Sequence, residues 1–189
     1  MPSVAPTVFQ SLRLITSELE DVLGRIDTDS LDRLADVVAA APNVFVHGAG
    51  RSGLALRSTA MRLMHLGLSV HVVGEVTTPA IARGDLLLMA SGSGTTPGIV
   101  AAADTAHDVG ATLAVLTTAP DSPLATSADV TVVVPAAPKL DRSEAASAQY
   151  AGGLFEQSVG LIGDALFHSL WKRSGQSADE LWPRHSNLE

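Results

Sequence analysis

The sequence contains no cysteine. That excludes disulfides, thiolate catalysis and Cys-ligated zinc, and leaves the compartment open. Aromatic residues make up only 4% of the chain, so the core must be assembled from Ala, Val, Leu and Ile. Such a core suits helices packed on a parallel sheet. Positive charge is also scarce. Lys139 and Lys172 are the only lysines, and the formal net charge is −8. Nucleic acid is therefore not an expected partner, because phosphate backbones are met by clustered Lys and Arg. No run approaches the roughly 20 apolar residues of a membrane span. Met1 to Gln10 lack a basic segment followed by an apolar one, so the expectation is a soluble, cytoplasmic protein with no membrane partner.

What is present is a globular composition, 46% hydrophobic and 17% charged over 189 residues. It predicts one domain spanning residues 1–189, with an N-terminal helical segment over about 1–41 and a tail over about 176–189. Phe9, Leu12, Ile15, Leu19, Val22 and Leu23 have helical spacing, and Leu31, Leu34, Val37 and Val38 mark a second helix. After Pro42, short apolar runs alternate with helical ones. Strands are predicted at 44–47, 69–73, 85–90, 112–116 and 130–134, with helices at 53–66, 97–109, 123–127 and 147–173. The stretch 75–83 is expected to hold a turn or two. This alternation reads as an α/β fold with a parallel sheet flanked by helices. Ligands of such sheets bind beyond the carboxyl ends of the strands, near the point where strand order reverses.

Two Gly-rich loops stand at such ends. The first, Gly48-Ala-Gly-Arg-Ser-Gly53, fits the dinucleotide fingerprint, and Glu75 lies near where a ribose-binding acid would be. A dinucleotide reading leaves the second loop unexplained and has no substrate domain to serve. Arg51 and Ser52 at a helix start suit an anion or sugar hydroxyls instead. The second loop, Ser91-Gly-Ser-Gly-Thr-Thr96, offers four hydroxyls and two glycines before Pro97. Ser91, Gly92, Ser93, Gly94, Thr95 and Thr96 together present mostly hydrogen-bond donors, as a phosphate monoester requires. No lysine closes the loop, so it is not a nucleoside triphosphate site. A capped turn alone would explain one hydroxyl rather than four.

Glu156 lies in the last predicted helix with Gly152, Gly153, Gly160 and Gly163 on its face. Each interior glycine costs a helix roughly 1 kcal/mol relative to alanine, so something is expected to approach this stripe closely, either a ligand or another helix. Glu156 is the candidate general base. In the tail, Leu181 and Trp182 call for burial, either as one surface anchor of a loose tail or as the means of docking it over a site and delivering Arg184 or His185. The other histidines have no metal-ligand spacing, and no metal site is expected.

These segments resemble the 6-phospho-3-hexuloisomerases, members of the sugar isomerase (SIS) domain superfamily. The resemblance rests on both Gly-rich loops, Met61-Arg-Leu-Met-His-Leu-Gly67, Val73-Gly-Glu75, Thr78-Pro-Ala-Ile81, Gly84-Asp85, Ser122-Pro-Leu124, Leu154-Phe-Glu-Gln157, Arg184-His185 and Asn187-Leu-Glu189. It implies a five-stranded parallel sheet of flavodoxin-like order and a homo-oligomer, often a tetramer. It implies interconversion of D-arabino-hex-3-ulose 6-phosphate and D-fructose 6-phosphate through a cis-enediol without a cofactor, in the ribulose monophosphate pathway of formaldehyde fixation. By the same resemblance Ser52 and Ser91–Thr96 bind substrate and Glu156 is the proton acceptor. The chemistry of the two sugars, of which only the 2-ketose can close through its 5-hydroxyl, gives His185 the expected role of opening that ring in the reverse direction. The alternatives are an isomerase of another phosphosugar, such as arabinose 5-phosphate, and a non-catalytic module that senses a sugar phosphate.

Overall fold

The computed structural model describes residues 5–141, 143 and 147–188. Glu189, the end of the Asn187-Leu-Glu189 motif, lies outside them, as do residues 1–4 of the expected N-terminal segment. Two helices come first, α1 (Val8–Leu23) and α2 (Thr28–Ala40). The alternating part follows as β1 (Val44–Gly48), α3 (Gly50–Leu66), β2 (Val70–Val72), β3 (Leu86–Ala90), α4 (Pro97–Val109), β4 (Thr112–Thr117), α5 (Pro123–Ser127) and β5 (Val130–Val133). A strap then leads to α6 (Gly153–Ser174), α7 (Ala178–Leu181) and a final 3-10 turn, Trp182–Arg184.

All five strands are parallel and ordered β2-β1-β3-β4-β5. Chain order reverses between β1 and β3, the switch point of a flavodoxin-like sheet. The register Gly48↔Ala90 brings the two Gly-rich loops out side by side at that point.

Period-2 alternation divides the core. Val44, Val46, Leu86, Leu88, Ala114, Leu116 and Val132 face α2, α3 and α6. Phe45, Leu87, Met89, Leu113 and Val115 face Ile99, Ala103 and Ala106 of α4 and Leu124 of α5. Both faces are covered, so the central strands are apolar without a break. The β2–β3 connection holds no helix. Asp85, 4% exposed, accepts hydrogen bonds from Ala82 N and Asn43 Nδ2, both at 2.8 Å, and ties that connection to β1.

The last long helix starts later than its sequence pattern suggests, at Gly153 rather than Ser147. Residues 147–152 form a turn in which Ala151 (φ 39) and Gly152 (φ 82) are left-handed. Ala151 is the one non-glycine residue described with positive φ, a conformation that disfavours a Cβ. The turn is clasped from α1. Glu18 accepts hydrogen bonds from Ser147 Oγ (2.8 Å), Ala148 N (2.7 Å) and Gln149 Nε2 (2.9 Å).

Candidate active site

A cavity of about 240 Å³ opens at the switch point. Its lining includes Gly50 and Ser52 from the first loop, Ser91, Gly92, Ser93 and Thr96 from the second, and Gly152, Phe155 and Glu156 from the start of α6. Thr118, Ala137 and Lys139 also line it.

The two loops are shaped by close approach. A Cβ on Gly48 would stand 2.9 Å from Gly53 N and Cα, so the pair lets α3 start directly against β1. Gly50 (φ 57) turns the chain with nothing within 4 Å of where a Cβ would be, because that side is the cavity. In the second loop Gly94 (φ 61) presses on Ser122, where any Cβ would overlap the serine side chain. The outer side of the loop is pinned by Gly92 O, which accepts from Thr118 Oγ1 (2.8 Å), Thr117 Oγ1 (3.1 Å) and Thr118 N (3.1 Å). The loop hydroxyls pair with one another, Ser91 Oγ with Thr96 Oγ1 and Thr95 Oγ1 to Ser93 Oγ, both at 3.0 Å. Ser91 and Ser52 are buried, at 3% and 8% exposure, yet both border the cavity.

Three helices begin at this cavity: α3, α4 and α6. Their N-caps, Ala49, Thr96 and Gly152, make no side-chain capping hydrogen bond. The other α-helices, α1, α2, α5 and α7, are all capped by a side chain, from Thr7, Asp27, Ser122 and Ser177. An uncapped start leaves N–H groups unsatisfied and a partial positive charge exposed. Three such starts on one cavity give an acidic chain a place for an anion.

Glu156 stands in the first turn of α6 with its side chain 20% exposed. Its Oε2 is 3.1 Å from Arg51 Nη1, which fixes the carboxylate on the cavity wall. Phe155 packs on the second loop, 3.3 Å from where a Cβ on Gly92 would be, and so couples α6 to that loop. The glycine stripe does not form one surface. Gly163 is where α6 meets Thr59 of α3, Gly160 has open space, and Gly152 and Gly153 face Lys139, Gln149 and Arg51.

Of the residues predicted from sequence, Ser52, Ser91, Gly92, Ser93, Thr96 and Glu156 share the cavity lining, and Arg51 reaches it through Glu156. Gly94 shapes the loop from behind, and Thr95 is exposed with its hydroxyl on Ser93. His185 is elsewhere. It stacks on His65 with ring centroids 4.0 Å apart and lies 4.8 Å from the Trp182 ring. His65 is at the opposite end of α3 from Gly50, so His185 is about 22 Å from the helix start at a rise of 1.5 Å per residue. Of the two apolar tail residues, Leu181 is buried and Trp182 is 70% exposed. Sequence reasoning missed Thr118, Phe155 and Lys139 as parts of the wall. Among the described residues no three His, Asp or Glu side chains gather as a metal site, and no helix is long and apolar enough to cross a membrane.

The SIS domain matches residues 38–151, which take in both loops and stop short of Glu156. Relatives extend the match through the last helix. A 3-hexulose-6-phosphate isomerase from Mycobacterium gastri is 52% identical over 98% of this chain and 94% of its own length. The chain belongs to the 3-hexulose-6-phosphate isomerase family. Another member, from Bacillus subtilis, is 38% identical over 93% of this chain and 95% of its own. Among solved structures, a hypothetical protein from Methanococcus jannaschii, for which that molecular function was inferred, is 29% identical with a TM-score of 0.81. That match covers 95% of this chain and 99% of the other. Within the 3-hexulose-6-phosphate isomerase family the carboxylate helix is thus part of the shared chain, beyond the general sugar isomerase domain.

Proposed function

We propose that this chain interconverts D-arabino-hex-3-ulose 6-phosphate and D-fructose 6-phosphate. The observation that carries the reading is Glu156, a carboxylate paired with Arg51 on the wall of a cavity whose other side is a hydroxyl-rich loop leading into the uncapped start of α4. The loop hydroxyls and the N–H groups opening α4 bind the phosphate, and Ser52 meets the sugar hydroxyls. Glu156 removes the proton from C2. The C2–H electron pair forms the C2=C3 double bond, and the C3 carbonyl oxygen takes up a proton, giving the cis-enediol. Loss of the O2 proton re-forms a carbonyl at C2, while Glu156 returns its proton to C3. The oxidation of C2 and the reduction of C3 balance within the substrate, so the chemistry calls for no redox cofactor.

The 3-ketose has its 6-hydroxyl esterified and stays open, whereas the 2-ketose closes through O5. His185 is assigned to opening that ring. Because it stands far from the cavity of its own protomer, this assignment draws it from a neighbouring copy. The same reading makes the protein a cytoplasmic homo-oligomer, a tetramer, serving formaldehyde fixation. Exposed Leu54, Met61 and Leu161 on α3 and α6 support self-association.

The test is turnover of hex-3-ulose 6-phosphate beside a panel that includes arabinose 5-phosphate, with the E156Q variant in parallel. E156Q should retain fructose 6-phosphate binding and lose about 10²–10⁴-fold in kcat. Conversion by E156Q at close to the normal rate would remove Glu156 as the base, and binding without turnover by the native chain would favour a sensor.

A further inference from the structure

The strap between β5 and α6 brings a lysine to the cavity that its sequence context does not announce. Lys139 lines both the cavity and the depression beside it formed with Asp141, Gln149 and Tyr150. Its stem lies over Gly152: a Cβ there would be 3.7 Å from Lys139 Cβ and 3.8 Å from Cγ. Gly152 is the N-cap of α6, and its carbonyl accepts a hydrogen bond from Glu156 N at 3.2 Å. Lys139 makes no hydrogen bond or ion pair with any described residue. Arg51, the other cation at the cavity, is already opposed by Glu156 at 3.1 Å. Lys172, the only other lysine, sits over the Trp171 ring near the far end of α6. In a chain of net charge −8, Lys139 is, among the described residues, the positive side chain on the cavity wall without an opposing charge.

The position is built. Glu18 of α1 holds Ser147, Ala148 and Gln149 by three hydrogen bonds, and the left-handed Ala151–Gly152 pair turns the strap into α6. Resting on the sugar-phosphate reading above, the geometry points to Lys139 as a substrate-binding residue that meets the anionic sugar phosphate from the strap side, with Glu18 as the positioning residue that holds the strap in place. An ammonium group on a flexible stem acts as a point charge. It attracts the phosphate equally in substrate, intermediate and product, so it lowers KM in both directions and leaves kcat alone.

The experiment compares K139M, K139R, K172M and E18A by steady-state kinetics in both directions and by calorimetric titration with fructose 6-phosphate. K139M should raise KM and Kd about tenfold, the lower end for a hydrogen bond to a charged group at an exposed position, with kcat little changed. K139R should recover most of the loss. K172M alters net charge by the same amount and should leave KM and Kd where they are. E18A should raise KM in the native background and add little to K139M, which a purely structural role would not produce. An unmoved KM and Kd in K139M, an equal shift in K172M, or a fall in kcat without a change in KM would each overturn the assignment. Failure of the native chain to isomerise hex-3-ulose 6-phosphate would instead overturn the proposed activity, and the calorimetric comparison would still decide the role of Lys139.

Discussion

Replacing Gly163 and Gly160 of α6 by alanine should move stability in opposite directions. Both lie inside the same helix, where alanine is favoured over glycine by about 1 kcal/mol. At Gly160 nothing stands within 4 Å of the new methyl group, so that gain is kept. At Gly163 the methyl would overlap Thr59 Oγ1 on α3 and lie 3.0 Å from Thr59 Cβ and 3.2 Å from Cγ2. Thr59 is 2% exposed and its hydroxyl donates to Ala55 O at 3.2 Å, so it has no free space to turn into. The helices must separate, at an overpacking cost of about 3 kcal/mol. The net loss is about 2 kcal/mol, and at about 2–4 °C per kcal/mol for a chain of this size Tm should fall by about 4–8 °C. G160A should raise Tm by about 2–4 °C. Because Arg51 is on α3 and Glu156 is about 10 Å along α6 from the contact, separation should also lower kcat. Thermal melts followed by circular dichroism read both variants, and T59A in the G163A background should recover part of the loss. A G163A melting point at or above that of the native protein would refute the close-approach argument.

Two further outcomes follow from the loop and the tail. Gly94→Ala asks for a Cβ where Ser122 already is, at φ 61, so it should abolish inorganic phosphate binding measured by calorimetry while Gly98→Ala, with open space, does not. His65 is buried, and burial followed by repulsion from His185 and Arg62 holds its imidazole below the usual histidine range. Arg184 also faces it, donating from Nη1 to His65 O at 3.3 Å. The unfolded chain therefore takes up this proton first, and stability should drop as pH falls from about 6.5, the ordinary histidine value, through the lower folded value. Native melting points between pH 7.5 and 5.5 should fall more steeply than those of H65F; parallel curves would remove His65 as the cause.

The strands were legible because each is a short, unbroken apolar run bounded by turn residues, and the sheet order places their loops at a predictable edge. Ser91, Thr96 and Ser52 were legible for the same reason: a hydroxyl-rich loop after a buried strand has one place to go. Lys139 and Thr118 were not, because their approach to the cavity depends on the path of the strap and on the end of β4, where no periodicity governs direction. The glycine stripe was misleading. Four glycines on one helical face look like a single cleft, yet one admits α3, one faces open space and two border the strap. His185 carries no local signal of direction either; its neighbours Leu181 and Trp182 take it to the distal end of α3.

The three uncapped helix starts have a consequence for the range of conditions in which the cavity can hold its ligand. Lysine and histidine lose their charge when the solution is alkaline enough, and an anion site built from them fades accordingly. A peptide dipole carries no ionisable proton, so the attraction offered by α3, α4 and α6 is the same in mild acid and mild base. What changes over that interval is the guest: a phosphate monoester gives up its second proton near pH 6. The protonation state of the sugar phosphate, rather than that of the cradle around it, then sets how tightly the two are held.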